Sequence, residues 1–300
     1  MFIGIKNVPI PISGLILSFF SLGNIIKNSI PYLREIYFTL GLFLLLLISL
    51  KIILYPRKIK EELENPTIST VSGTYSMGLM SFSIYFLNYS YNLSLFIWIL
   101  GIIIHVLLIL YFTNNFFFRN FQIEKVYACF FVLYVGINNG AITSNDLNQK
   151  EFGHIIFLFG LVSFIFLFPL IFYRYLFYNN IPENNKPLIL VFNAGAHIIL
   201  EGYINSSEVI NKHVIYFYII CFFIYLFCLY KVYEYRNIKF YPSFSSFTFP
   251  FVVSAKATKG IYDNVLNILL IKLILYFQLI FCTISVFYVF ILYLKFLFKQ

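Results

Sequence analysis

Ten stretches of this 300-residue chain are apolar enough to cross a lipid bilayer, and the loops between them are too short to hold a soluble domain. At about 20 residues per crossing, ten spans use roughly two-thirds of the chain. A soluble domain of this size needs a polar surface. A composition 61% hydrophobic and 11% charged cannot supply one. The whole chain, 1–300, therefore reads as a single transmembrane domain whose solvent is mostly lipid. The net charge of +9 is no nucleic-acid footprint, because no Lys/Arg cluster is interleaved with stacking aromatics on a polar face. Cys129, Cys221, Cys228 and Cys282 lie in apolar runs without a C-x-x-C spacing, which argues for inert buried thiols rather than a metal or redox centre.

The spans fall near residues 8–26, 35–55, 67–87, 93–113, 125–143, 153–177, 187–204, 213–233, 243–262 and 266–294. The first run follows Lys6 but contains Pro9 and Pro11 and lacks a small-x-small cleavage site, so it reads as a retained span. An even number of spans puts both termini on one side. Of the 21 Lys and Arg, 14 fall on that side and 7 on the other. The bias places both termini in the cytoplasm and the chain in the cell's inner (plasma) membrane.

Two kinds of span alternate. The even-numbered ones are uniformly lipophilic, as in Gly41-Leu-Phe-Leu-Leu-Leu-Leu-Ile-Ser49. The odd-numbered ones carry small and polar residues: Pro11 and Gly14 in the first, Thr70 and Thr74 in the third, Asn138 and Asn139 in the fifth. Ala194 and His197 mark the seventh, and Ser246, Pro250 and Lys256 the ninth. Lipid-facing helices gain nothing from such residues, which collect where helices pack closely or line water. The expected architecture is all-α: ten transmembrane helices as five hairpins, each with one inner and one outer member. The inner odd-numbered helices surround a central pore, and the residues just named are its lining candidates.

Chemistry-bearing motifs are scarce. No H-E-x-x-H, G-x-S-x-G or P-loop pattern occurs, and no His, Asp and Cys converge at one depth, so neither an enzyme nor a metal or cofactor site is expected. His105 and His154 read as packing or interfacial residues. His197 and Glu201 are spaced i, i+4 and can share a helix face. Glu201 follows Pro187 by fourteen residues, as Lys256 follows Pro242, near the starts of spans that run the same way. At 1.5 Å per residue the two charges reach one depth in the outer half, as a candidate buried ion pair. Lys256 there also attracts anions.

The most specific string is Tyr241-Pro-Ser-Phe-Ser-Ser-Phe-Thr-Phe-Pro-Phe-Val-Val-Ser-Ala-Lys-Ala-Thr258. It resembles the ninth span of the tellurite-resistance/C4-dicarboxylate transporter family, which includes the plant guard-cell slow anion channels. Asn7-Val-Pro-Ile-Pro-Ile-Ser-Gly14, Tyr55-Pro-Arg, Glu64-Asn-Pro and Asn138-Asn139 are similar to that family's other motifs, in order along the chain. The resemblance implies ten helices, an inner pore bent by prolines, a homotrimer with one pore per subunit, and small inorganic or organic anions as cargo. It makes Phe249 the gate that plugs the pore, with Pro250 bending the helix and pushing the ring inward. Two positions depart from the pattern: Tyr134 stands where the family has a proline, and Lys256 where a neutral residue is usual. The reading is an anion-selective channel for chloride- or nitrate-like ions. The alternative on the same fold is a proton-coupled carrier or exporter of C4-dicarboxylates, sulfite or tellurite-type oxyanions, with His197 and Glu201 relaying the proton.

Overall fold

The computed structural model describes residues 4–27, 30–178 and 180–299, which are helical or connecting, with no strand among them. The extreme termini, assigned to the cytoplasm by the charge count, lie outside the described residues. Among the described residues thirteen α-helices run in order: α1 (Ser13–Ile25), α2 (Pro31–Leu54), α3 (Pro56–Leu63), α4 (Pro66–Val71), α5 (Gly73–Ser83), α6 (Tyr91–Phe112), α7 (Phe130–Tyr134), α8 (Asn139–Ser144), α9 (Lys150–Phe177), α10 (Val191–Ser206), α11 (Val214–Glu234), α12 (Phe249–Asn264) and α13 (Leu269–Lys299).

Among the described residues, six helical stretches are long and apolar enough to cross a membrane. Five of them contain α2, α6, α9, α11 and α13, and no more than 33% of each apolar window is buried. Their exposed faces carry large side chains such as Leu46, Leu107, Phe166, Phe223 and Ile284. In water such faces would drive association, whereas against lipid they need no cover. The sixth stretch, Glu183–Ser206, has 94% of its window buried. The burial contrast follows the odd-even alternation of the sequence.

The remaining buried segments are short and broken. α1 is entered through a 3₁₀ turn at Ile10–Ile12, where Pro11 cannot supply an N–H. α4 and α5 meet at Ser72. The segment expected as one span over 125–143 is α7, a 3₁₀ turn at Gly136–Asn138, and α8. It breaks beside Tyr134 without a proline. α12 follows a 3₁₀ stretch at Pro242–Phe247. Each buried unit packs on the long helix that follows it: α1 on α2, α5 on α6, α8 on α9, α10 on α11, and α12 on α13. The buried units also touch one another in a closed cycle, α1–α5–α8–α10–α12 and back to α1.

Broken helices expose backbone groups that must find partners away from water. His105, fully buried in α6, does this at the α7 break: its Nε2 lies 2.7 Å from the Leu133 carbonyl and its Nδ1 2.8 Å from Ser76 Oγ. On the α12 side, Ser285 Oγ donates to the Phe247 carbonyl (2.5 Å) and the Tyr293 hydroxyl to the Pro242 carbonyl. The loop expected over 56–66 is the helix α3, which leads into Asn65 as the N-cap of α4.

Candidate functional site

Three of the cavities among the described residues follow the line of the buried units. The first, about 310 Å³, opens at their N-terminal ends, which the charge count assigns to the inner side, and is lined by Pro9, Pro11, Glu62, Asn65, Asn184 and Ser243 among others. Its walls continue through Val71 and Leu188 into a central cavity of about 30 Å³. At about 10–15 Å³ of such space per water, the central cavity has the volume of only two or three waters. Gly14 comes from the α1 unit, Val71 and Thr74 from the α4–α5 unit, and Val132 from α7. Val191 and Ala194 come from α10, and Ser245, Ser246, Phe249 and Pro250 from the α12 unit. All five buried units therefore contribute to this one constriction, and Phe249, 6% exposed, stands in its wall. No Asp or Glu lines it.

The local chain explains the ring's position. The 3₁₀ stretch ends at Thr248, whose φ of −108° and ψ of −84° turn the backbone before α12 begins. Thr248 Oγ1 donates to the Ser245 carbonyl (2.6 Å) and accepts from Ser18 Oγ on α1 (2.8 Å). Pro250 is not a kink inside a helix, as the sequence reading had it. It stands in the first turn of α12, where a missing N–H costs nothing. The turn at Thr248 aims the ring, and Asn193 Nδ2 holds the new helix by donating to the Pro250 carbonyl (2.5 Å). Gly14 permits the close approach of α1: a Cβ there would stand 3.0 Å from Ser245 Cβ.

The third cavity, about 210 Å³, lies at the other end and is lined by both Glu201 and Lys256. The sequence placed these two at one depth as an ion pair. They share the cavity, but no Glu201–Lys256 contact falls within 4.0 Å among the salt bridges of the described residues. Lys256 and Phe249 line separate cavities. Thus Gly14, Thr74, Ala194, Ser246, Phe249 and Pro250 meet at the constriction, while Pro11 stands at the inner mouth.

Four other candidates line none of these cavities. Thr70 Oγ1 donates to the Thr67 carbonyl (2.9 Å), and Asn139 Nδ2 to the Met77 carbonyl (2.8 Å). Asn138 is buried where Gly160 of α9 leaves room for its amide. His197 Nδ1 is 2.9 Å from the Asn193 carbonyl, and its Nε2 has no partner. Among the described residues no group of three or more His, Cys, Asp or Glu side chains is placed to hold a metal ion.

One residue of the inner mouth escaped the sequence reading. Lys51 is one of the 14 Lys and Arg on the side of the termini, yet it is fully buried at the end of α2. Its Nζ donates to the Val8 carbonyl (2.6 Å) and to both carboxylate oxygens of Glu62 (2.7 and 2.8 Å). This ties α2, α3 and the approach to α1 together. It also covers an acidic side chain at the inner mouth. Lys51→Met is expected to lower stability by about 3 kcal/mol, because removing one partner strands the other's charge. Thermal unfolding in detergent checks this. Lys51→Met/Glu62→Leu should recover most of the loss, and a Lys51→Met protein as stable as wild type would show that the pair is idle.

The family model described as voltage-dependent anion channel matches residues 7–294. No curated protein matches the chain.

Proposed function

The chain belongs to the voltage-dependent anion channel family, and on that premise we propose that it carries small monovalent anions along a path within each single chain, closed at its narrowest point by Phe249. The central cavity carries this reading, since one constriction collects residues from five buried units and has an aromatic ring in its wall. Thr74, Ser245 and Ser246 bring hydroxyl groups to it and no carboxylate does, which suits an anion better than a cation. The closed cycle of buried units, each backed by a long lipophilic helix, supports ten spans arranged as five hairpins in one domain. Chloride and nitrate are the proposed cargo. A homotrimer in the plasma membrane, with one path per subunit, extends the family resemblance. The direct test is anion flux from the purified protein in liposomes. Folded protein that passes neither ion, with Phe249 present or truncated, would overturn the reading.

The proposed orientation, with the inner cavity and both termini in the cytoplasm, rests on the 14-to-7 distribution of Lys and Arg. Lys58 lies in α3, whose Glu62 lines the inner mouth. A Lys58→Cys protein, its four native buried cysteines replaced by Ser or Ala, is expected to resist a membrane-impermeant thiol reagent applied to intact cells and to react after lysis. Ready labelling of intact cells would invert the topology.

A further inference from the structure

Six charged side chains line the outer cavity: Lys27, Asp146, Glu201, Lys256, Lys259 and Asp263. Four of them pair off. Lys27 meets Asp146 at 2.6 Å, and Lys259 bridges Asp263. Lys256 on α12 and Glu201 on α10 remain, and neither enters an ion pair within 4.0 Å among the described residues. Glu201 is only 3% exposed. Its Oε1 accepts from Asn205 Nδ2 (2.9 Å), and its Oε2 has no partner. The carboxylate fits against Gly260, where a Cβ would stand 2.9 Å from Oε2. Gly260 is four residues beyond Lys256 on α12, so the carboxylate lies one helical turn from the lysine's position on the same face.

The cavity therefore holds one unpaired cation and one unpaired, buried carboxylate. With Glu201 ionised, these two charges cancel. With Glu201 protonated, the cavity carries one net positive charge on an amine that no carboxylate occupies. We propose that the outer cavity is a seat for one small monovalent anion on Lys256, and that Glu201 takes up a proton from water when the anion enters. The balance is one anion and one proton bound together, which leaves the cavity neutral. Asn24, Asn205 and Asn264 supply amide groups around the seat. The other groups facing it from neighbouring elements are the two closed ion pairs. His197, one turn back on α10, and Tyr203, two residues on, share Glu201's helix, and neither lines the cavity. Binding coupled this way is reciprocal: the anion favours the proton as much as the proton favours the anion.

The conduction consequences rest on the channel reading above, whereas the binding does not, so two measurements separate them. In weakly buffered detergent solution, adding sodium chloride in place of sodium gluconate at equal ionic strength is expected to draw protons onto the wild-type protein and raise the pH. Glu201→Gln and Lys256→Gln should each abolish that uptake while remaining monodisperse. In liposomes with symmetric pH, chloride flux through wild type and Phe249→Ala should rise about tenfold between pH 8 and pH 5, within the range usual for coupled sites. Glu201→Gln should hold the high rate at every pH, and Lys256→Gln the low one. Equal proton uptake in wild type and Glu201→Gln would overturn the proposal, as would flux with the same pH profile in both. Uptake without flux would keep the seat and sink the channel reading.

Discussion

Reconstituted at matched amounts, Phe249→Ala passes chloride and nitrate roughly tenfold faster than wild type or more, as expected when the apolar plug of a dewetted constriction is removed. The cavity beside the ring is about 30 Å³. An ion with its hydration shell does not fit there, and an ion without it meets only a few hydroxyls. Truncation to Ala joins the volume of the ring to the cavity, whose walls already run into the inner mouth through Val71 and Leu188. Water can then accompany the ion through. A ring that served only as core would behave differently. Its loss would cost about 3–5 kcal/mol and open nothing. The measurement is anion-selective efflux from liposomes, with gluconate as the excluded ion. A folded Phe249→Ala protein no leakier than wild type would remove the gate assignment, and a gain shared equally by gluconate would mark a general leak.

The ring has to sit where it does because of a turn that the sequence displayed only indirectly. Thr248, Phe249 and Pro250 were legible as a motif, and the proline was read as the bend. In the structure the bend belongs to Thr248 and its hydroxyl contacts with Ser18 and Ser245, and Pro250 merely starts α12. The α7 break shows the same limit from the other side. No proline marks it, yet the helix stops, because Gly136 lets Met77 approach and His105 takes up the Leu133 carbonyl. Both causes are tertiary, so no local pattern could announce them.

The long lipophilic helices were plain in the sequence, since an unbroken apolar run of about 20 residues has few other homes than lipid. Side-chain direction was less legible. Asn138 and Asn139 were taken together as lining. Successive residues of a helix point about 100° apart, and the two amides diverge: Asn139 bonds toward α5 while Asn138 turns to Gly160 of α9. Counting residues from Pro187 and Pro242 brought Glu201 and Lys256 to one cavity, because rise per residue fixes depth. It could not fix the distance between their tips, and the expected bridge is absent. Lys51 illustrates a signal that was available: a lysine inside an apolar run, then a Pro56 turn, then the Glu61-Glu62 pair. Read as a cation needing a partner rather than as an anchor, it points to its own ion pair.

If the constriction rather than Phe249 itself closes the path, a ring supplied from another wall should close it again. Ala194 lines the same small cavity from α10 and is buried to 3% exposure. A phenyl ring added there has no room beside Phe249, but in the Phe249→Ala protein it inherits the vacated volume. The net apolar volume is unchanged, so the swap avoids the overpacking that a lone Ala194→Phe would impose, about 1–3 kcal/mol. Phe249→Ala/Ala194→Phe is therefore expected to return chloride flux to within about twofold of wild type, reversing nearly the whole gain of the single variant through the same dewetting barrier. The double variant should also regain the thermal stability lost by Phe249→Ala, because the cavity term disappears. Efflux and unfolding are measured on the same preparations. A double variant as stable as wild type but as leaky as Phe249→Ala would place the conduction path elsewhere, and the central cavity would then be a packing defect between five helical units rather than the closed point of a channel.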